Sequence, residues 1–392
     1  MSGEKLSLLA FDVLYGKELG ISEYMLFDHL KYYAQNARFK TPAHIKKSSV
    51  GEFYEKNMDT FCKLSEDLYR HLFEKVAKES AVFISSQMLP LGLLMGVETP
   101  DKEPPSPKSL FPIPVSARKL FDTWAYPVQE IRDLEYLKEA WPSRDTDLLD
   151  DYLNRTMVIE KISQSLCVGY TPNNSVPEVY ALHNDSAFRK EYMIADILYP
   201  WVTQPLSQLR MLIPALDPSI RQRILETAIP LNKDSTFTCS IEGPRPVTRT
   251  LPGADGSHAY TFDCMTDFIS YLTLRVKQSE YHPVIRRQFW TPFFGIANYD
   301  DLRTAVDDPE LMGRVDKACL DSKRLYVEML KTGLRYESQY AVLCGMAGRF
   351  TVQGSFSAIL DLSVKNKHHE TTSTPISSNI MEKMYKTLDI DW

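Results

Sequence analysis

One pattern occurs twice in this chain and restricts the folds that are open to it. An amphipathic helix with apolar residues three or four positions apart is followed by a Glu-Ser pair and a mostly apolar run. The helices contain CKLSEDLYRHL from Cys62 and CLDSKRLYVEML from Cys319, and the runs are ESAVFISSQMLP from Glu79 and ESQYAVLCGMAG from Glu337. Unrelated amphipathic helices often share a stripe of apolar residues, but they do not share the order of the segments that follow the helix. The pattern therefore predicts an internal duplication.

The composition and the positions of the proline- and glycine-rich stretches predict mostly helix with a modest strand content. The chain is 44% hydrophobic and 24% charged, which excludes disordered, collagen-like and coiled-coil proteins. A proline-rich stretch at 98–114 and a stretch rich in Gly, Pro, Ser and Thr at 232–259 read as loops. Between them, 185–228 has helical periodicity interrupted by prolines. YTFDC from Tyr260 either forms a strand or passes directly into the helical pattern that follows.

Charge and cysteine usage exclude several classes of function. A net charge of -6 argues against a general binder of nucleic acid polymers. No run approaches the ~18 apolar residues of a membrane span, and the first residues do not resemble a signal peptide, so we expect a cytoplasmic protein with no membrane partner. None of the six cysteines forms a CxxC pair, which predicts no metal site and no disulfide. We expect the cysteines to pack in the core.

Six segments then follow one another in an informative order: SQMLP ending at Pro90, SARKL at 116–120, QEIRDL at 129–134, ADILYPWVTQPLSQL from Ala195, YTFDCMTDFISYL from Tyr260 and SQYAVL from Ser338. This order resembles the flavin-dependent thymidylate synthase family, in particular its long branch with two related halves in one chain. The counterparts there are Arg-x-x-Leu-Pro, Asn-Ala-Arg-x-Leu, Glu-(Ile/Val)-Arg, a connecting helical segment, a helix leading to an Arg-His-Arg motif, and Ala-Gln-Tyr-x-Val-Pro. The likeness extends in patches from Val50 to Leu388.

The resemblance implies an α+β fold of two tandem thymidylate-synthase-complementing-like units, helix-rich with small mixed sheets. The first unit, with a shortened N-terminus, would span 1–165, a helical connector and loop 166–258, and the second unit 259–392. Because the family forms homotetramers of single units, a two-unit chain would form a homodimer.

The resemblance also implies a reaction, the reductive transfer of a one-carbon unit to C5 of a pyrimidine deoxynucleotide. The conversion of dUMP to dTMP, or a related C5 modification, would use FAD, NADPH and methylenetetrahydrofolate. Guanidinium groups suit the 5′-phosphate because they bind oxyanions bidentately, and an arginine near the uracil carbonyls can stabilise negative charge on the ring. The family requires no protein nucleophile.

Candidate site residues follow from the matching motifs. Arg118 is the catalytic candidate, in contact with uracil or phosphate. The candidates for nucleotide binding are Gln129, Glu130, Arg132, Arg286, Arg287, Gln339 and Tyr340, and those for cofactor binding are Thr291, Arg349 and His369. Each has a structural alternative, which is a solvated surface position for the arginines and the histidine and a core position for Tyr340.

The Arg-His-Arg motif itself is not preserved. Without gaps its places are taken by Val276, Lys277 and Gln278, and with an insertion by Arg286, Arg287 and Gln288. SFS at 355–357 also lacks the arginine of an Asn-Leu-Arg segment. Two alternatives therefore stand beside the enzyme: a catalytically degenerate relative that acts as a nucleotide-binding, flavin-binding or assembly module, and an unrelated helical scaffold.

Overall fold

The computed structural model describes residues 6–9, 12, 23–95, 143–166, 179–182, 189–228, 259–276, 284–355, 359, 380, 382–384 and 386–387. Five candidate site residues lie outside these ranges: Arg118, Gln129, Glu130, Arg132 and His369. Most of both predicted loop stretches also lies outside them. The geometry below concerns the described residues alone.

Helices dominate the described residues of the first half. The elements in chain order are β1 (Leu6–Ser7), α1 (Glu23–Asn36), α2 (Ala43–Lys46), α3 (Gly51–Leu72), α4 (Lys78–Ser86) and β2 (Leu94–Met95). The predicted apolar stripe lies on α3, where Phe61, Leu64 and Leu68 are all buried. The apolar run after Glu79 is not a strand, because it forms α4 and then the extended segment that contains Pro90.

The middle of the chain is helical with breaks, as predicted. It contains α5 (Ser143–Leu166), β3 (Val179–Leu182), α6 (Arg189–Leu198), a 3-10 turn (Tyr199–Trp201), α7 (Leu206–Leu212), a 3-10 turn (Ile213–Ala215) and α8 (Pro218–Ala228). Prolines stand at or beside the ends of these short helices because a proline nitrogen cannot donate a helical hydrogen bond. Strand β3 was not predicted, and it extends the sheet of the second half.

The second half alternates strands and helices. Its elements are β4 (Ala259–Thr266), α9 (Phe268–Val276), β5 (Val284–Arg287), α10 (Tyr299–Val306), α11 (Pro309–Lys331), a 3-10 turn (Glu337–Ala341) and β6 (Gly348–Ser355). Helix α11 begins at an Asp308 cap, whose carboxylate accepts from the Glu310 and Leu311 N–H groups at 2.9 and 3.0 Å. It ends before Gly333, whose φ of 81° is typical of the residue that follows a helix.

The main sheet has the strand order β3-β4-β6-β5, and each neighbouring pair is antiparallel. Strands β1 and β2 form a second, two-stranded antiparallel sheet. The expected mixed sheets are therefore wrong for the described strands, although a helix-rich α+β fold is confirmed. Each strand of the main sheet runs opposite to the strands to which it is hydrogen-bonded.

The buried apolar side chains of the described residues form two cores. The larger contains residues from both halves, including Phe61 of α3, Leu325 of α11 and Phe350 of β6. The smaller lies among α5 to α8, and Phe289 and Tyr336 pack against both cores. None of the described helices combines the length and apolarity needed to cross a membrane.

The segments around Pro90 and Leu343 run antiparallel and form a symmetric set of backbone hydrogen bonds. Each bond made by one segment has a counterpart in which both residues are numbered 253 higher or lower. Leu91 N–H donates to Val342 O at 2.8 Å, and its counterpart Cys344 N–H donates to Leu89 O at 2.7 Å. Gly92 N–H donates to Tyr340 O at 3.1 Å, and Gly345 N–H donates to Gln87 O at 2.7 Å. Leu93 N–H donates to Pro90 O and Met346 N–H donates to Leu343 O, both at 2.9 Å.

The symmetry extends to neighbouring elements. Lys40 N–H donates to Gly92 O and Ala297 N–H donates to Gly345 O, both at 3.0 Å. On the long helices, Ser65 Oγ donates to Ser85 O at 2.9 Å, and Ser322 Oγ donates to Ala341 O at 2.7 Å. These equivalent bonds relate α3 and its following segment to α11 and its following segment by a local two-fold rotation.

Candidate functional site

The six described candidate residues lie in the second half, and all six are buried. Arg286, Arg287 and Thr291 are 5–6% exposed, Arg349 is 1% exposed, and Gln339 and Tyr340 are completely buried. The solvated surface alternative is therefore wrong for the three arginines. Tyr340 occupies the core position that was its structural alternative.

Arg286 and Arg287 lie on opposite faces of the main sheet. In an antiparallel ladder, paired residues share a face and successive residues alternate. Arg286 pairs with Thr351 and Arg287 with Phe350. Both arginines belong to strand β5, and its alternation prevents them from forming one phosphate clamp.

Arg287 belongs to a buried ionic cluster on the apolar face of the sheet. Its Nε donates to Asp12 Oδ2 at 2.7 Å, and its Nη1 donates to Gln339 Oε1 at 3.0 Å. Arg275 Nη1 donates to Asp12 Oδ1 at 2.7 Å, and so does the Tyr271 hydroxyl at 3.1 Å. One carboxylate thus bridges two guanidinium groups and ties residue 12 to α9 and β5.

The electrostatics of Asp12 follow from this arrangement. Burial alone would raise the pKa of its carboxyl group, but the Arg275 and Arg287 guanidinium groups outweigh burial, and the pKa is lowered. Gln339 completes the cluster, since its Oε1 also accepts from the Trp290 N–H at 3.0 Å. Arg287 and Gln339 are therefore engaged inside the protein.

The opposite face of the sheet is polar, yet it is also buried. Thr261, Asp263, Arg349, Thr351 and Gln353 alternate with apolar residues along β4 and β6, and each is at most 2% exposed. Alternation of this kind normally gives a sheet one solvated face. Here the segment 196–210 covers that face.

Asp263 connects the sheet to the covering segment. Its Oδ1 accepts from the Tyr199 hydroxyl at 3.0 Å, and its Oδ2 accepts from the Leu206 N–H at 2.6 Å. Burial raises the pKa of the Asp263 carboxyl group, which the neighbouring Arg349 only partly offsets. The Arg349 Nη1 lies 3.7 Å from Asp263 Oδ1, an ion-pair distance that is too long for a hydrogen bond.

A second buried carboxylate, that of Asp196, lies in the same layer. Asp196 Oδ2 accepts from Gln353 Nε2 at 3.2 Å. Burial raises the pKa of the Asp196 carboxyl group, while the positive charges of Arg210 and Arg286 act to lower it. We call the buried residues Asp196, Arg210, Asp263, Arg286, Gln288 and Arg349 the polar layer.

Sequence reasoning missed the carboxylates that organise both faces: Asp12, Asp196 and Asp263. Asp263 had one signal, because in YTFDC it alternates with Phe262 and Cys264 as a strand residue would. Asp12 and Asp196 had none, since their partners are distant in sequence.

The described residues do not fit the flavin site that the family resemblance implies. Val276, the first of the three places of the Arg-His-Arg motif in the ungapped comparison, has an apolar side chain. Arg287 and Gln339 already bind Asp12 and the Trp290 N–H. Of the described candidates, Arg287 and Gln339 are therefore bound internally, whereas Arg349 is buried on the opposite face of the sheet. No group of three metal-ligating side chains occurs among the described residues.

Comparison of the chain with family models, with curated proteins and with solved structures found no match.

Proposed function

We propose that this chain is a two-unit relative of the flavin-dependent thymidylate synthases that acts as an assembly module without flavin-dependent transfer. The observation that carries the proposal is the engagement of Arg287. At a position suited to a phosphate, its guanidinium group binds Asp12 and Gln339, in a cluster that is closed to solvent. The Arg287 guanidinium group already donates hydrogen bonds to a carboxylate and an amide oxygen, so a phosphate would have to displace those bonds.

The symmetric pairing around Pro90 and Leu343 supports the two-unit part of the proposal. In the repeated sequence pattern, SQMLP and SQYAVL each belong to the apolar run that begins with the Glu-Ser pair. These same two segments pair with each other about a local two-fold rotation, with equivalent hydrogen bonds on each side. Two copies of an ancestral unit that once associated through this contact would produce such an arrangement.

The second candidate is the enzyme, a one-carbon transferase acting on C5 of a pyrimidine deoxynucleotide. The symmetric pairing favours this candidate too, because it is consistent with the two-half branch of an enzyme family. Arg118 would then contact uracil or phosphate, and Gln129, Glu130 and Arg132 would bind the nucleotide. When bound, FAD would supply the hydride, with NADPH and methylenetetrahydrofolate as co-substrates.

An absorbance spectrum separates the two candidates. The purified chain is soaked in excess FAD, desalted and measured, and its mass in solution is determined by sedimentation. A dimer of 45.0 kDa chains with no flavin bands supports the assembly module. Flavin bands in stoichiometric amount, perturbed by titration with dUMP, would overturn that proposal in favour of the enzyme.

A further inference from the structure

Arg349 and Arg287 are buried to similar depth, but they use their donors differently. Arg287 donates to Asp12, Gln339 and the Gln288 carbonyl oxygen. The Arg349 side chain is 1% exposed, and its Nε, Nη1 and Nη2 have no hydrogen-bond acceptor within the described structure. Its ion-pair partner Asp263 is committed elsewhere, since its two oxygens accept from Tyr199 and Leu206.

An unmatched acceptor lies beside these unmatched donors. The Gln288 N–H donates to the Arg349 carbonyl oxygen at 2.9 Å, so the two residues are neighbours across β5 and β6. Gln288 is 2% exposed, and its Nε2 donates to Gln204 O at 2.7 Å. Its Oε1 has no donor in the described structure. Buried polar groups are nearly always hydrogen-bonded, so adjacent unmatched donors and acceptors indicate a missing partner.

The charge of Arg349 points to the same conclusion. Within the described structure its guanidinium group has an ion-pair partner, Asp263, at 3.7 Å but no hydrogen-bond acceptor. Burying a charged group whose donors lack acceptors is costly, and a bound anion removes that cost.

We propose that the polar layer binds one phosphate group, held by the Arg349 guanidinium group and by Gln288 Oε1. A planar guanidinium group donates two parallel hydrogen bonds to an oxyanion. Monohydrogen phosphate also carries a hydroxyl that can donate to Gln288 Oε1, whereas an ionised carboxylate only accepts. The site needs neither flavin nor the residues of the transfer reaction, so it goes beyond the function proposed above.

The phosphate group could be free phosphate or the phosphate of a nucleotide. Segment 196–210 encloses Arg349, so we expect the free ion to bind and dUMP not to displace it. Titrations with inorganic phosphate, with dUMP, and with dUMP after phosphate distinguish the two sources. Displacement of phosphate by dUMP would retain the site and assign the phosphate to a nucleotide.

The test compares the wild-type chain with Arg349→Met by calorimetric titration with inorganic phosphate at constant ionic strength. Loss of charge-assisted hydrogen bonds predicts binding that is about ten- to a hundredfold weaker in this variant. Arg324→Met is the matched control, because Arg324 is 75% exposed on α11, and it should bind as the wild type does. Equal affinity in Arg349→Met would reduce the result to an adventitious ion and overturn the proposal.

A second measurement does not depend on the folding of the variant. Wild-type protein is incubated with phosphate, desalted rapidly and denatured in acid, and the released phosphate is assayed. About one phosphate per chain supports the site, because the site consists of one Arg349 guanidinium group and one Gln288 Oε1. No released phosphate, together with no heat in the titration, would overturn the proposal.

Discussion

Pro90 and Leu343 face each other across an antiparallel contact at the centre of a local two-fold rotation. The contact joins the two halves of the chain through backbone groups, so its stability depends on how closely the two segments can approach. Small residues at Gly92 and Gly345, which occupy equivalent places, permit that approach. The first prediction concerns one of them.

Gly345→Ala is expected to destabilise the fold by about 1–3 kcal/mol, the usual cost of overpacking. An added Cβ would lie 2.8 Å from Gln87 Cβ and 3.0 Å from the Gln87 carbonyl oxygen, which accepts the Gly345 N–H. Urea denaturation measures the change. Gly313→Ala is the control, because Gly313 is at an exposed position of α11 and nothing lies within 4 Å of an added Cβ, so alanine should stabilise the fold by about 0.5–1 kcal/mol. Equal effects of the two substitutions would contradict the prediction.

The equivalent serines of the long helices should contribute equally to stability. Ser65→Ala and Ser322→Ala each remove one buried hydrogen bond to a carbonyl oxygen, at a cost of about 1 kcal/mol. Chemical denaturation of both single variants and of the double variant measures this. Ser165→Ala serves as the control, since the Ser165 side chain is exposed on a helix and bonds only to its own Ile162 carbonyl. A large effect of one serine alone would count against the two-fold relationship.

Asp12→Asn should be strongly destabilising at neutral pH, by about 3–5 kcal/mol, because it removes the anion that the buried guanidinium groups of Arg275 and Arg287 share. The folded-state pKa of Asp12 is lowered, so its contribution is fully present above the unfolded-state pKa of about 4. That contribution is lost as the pH falls through the folded-state pKa. The free-energy difference between wild type and variant should therefore shrink at low pH.

Denaturation curves at several pH values test this dependence. Asp59→Asn is the control, because Asp59 is more than half exposed and pairs only with Lys63 on the same helix. It should change stability little at any pH. A difference between wild type and Asp12→Asn that stays constant down to low pH would contradict the assigned ion pairs.

The described cysteines should be slow to react in the native protein. Burial, aided by nearby carboxylates, raises the pKa of Cys62 and Cys319 to about 12, and burial raises the pKa of Cys264 and Cys344 well above its usual value. At pH 8 a thiol of pKa 12 is thiolate in a fraction on the order of 10⁻⁴, against about a quarter for a free cysteine. Alkylation followed by peptide mass spectrometry, in native buffer and in urea, measures the rates. Similar rates in both solvents at any of the four would contradict the prediction.

The long helices were predictable because their burial is periodic in the sequence. Phe61, Leu64 and Leu68 recur at helical spacing, and both helices were expected close to where they occur. The end of α11 can also be located in the sequence, because Gly333 follows its last residues. The position of the strand over Tyr260 could not be decided from pattern alone, since a short apolar run fits both a strand and a helix.

The ionic clusters could not be predicted from the sequence. Charged residues are rarely buried, so surface positions were the reasonable expectation for Arg286, Arg287 and Arg349. Their partners come from distant parts of the chain: residue 12 reaches Arg287, and the segment that contains Tyr199 closes over Asp263. Such partnerships depend on tertiary topology, which leaves no local pattern.

The contact between 87–93 and 340–346 also determines when, during synthesis, the backbone hydrogen bonds of the first segment can form. During synthesis, the first of these segments emerges long before its partner has been translated. Until residue 346 leaves the ribosome, the backbone groups of Leu89 and Leu91 have no strand to pair with. The entropic cost of closing a loop rises only slowly with its length, so the long separation of the two segments adds little to that cost. It does slow folding, because contacts between residues that are distant in sequence form late. The backbone groups of 87–93 that bond to 340–346 therefore stay without their native partners until the second half has been translated.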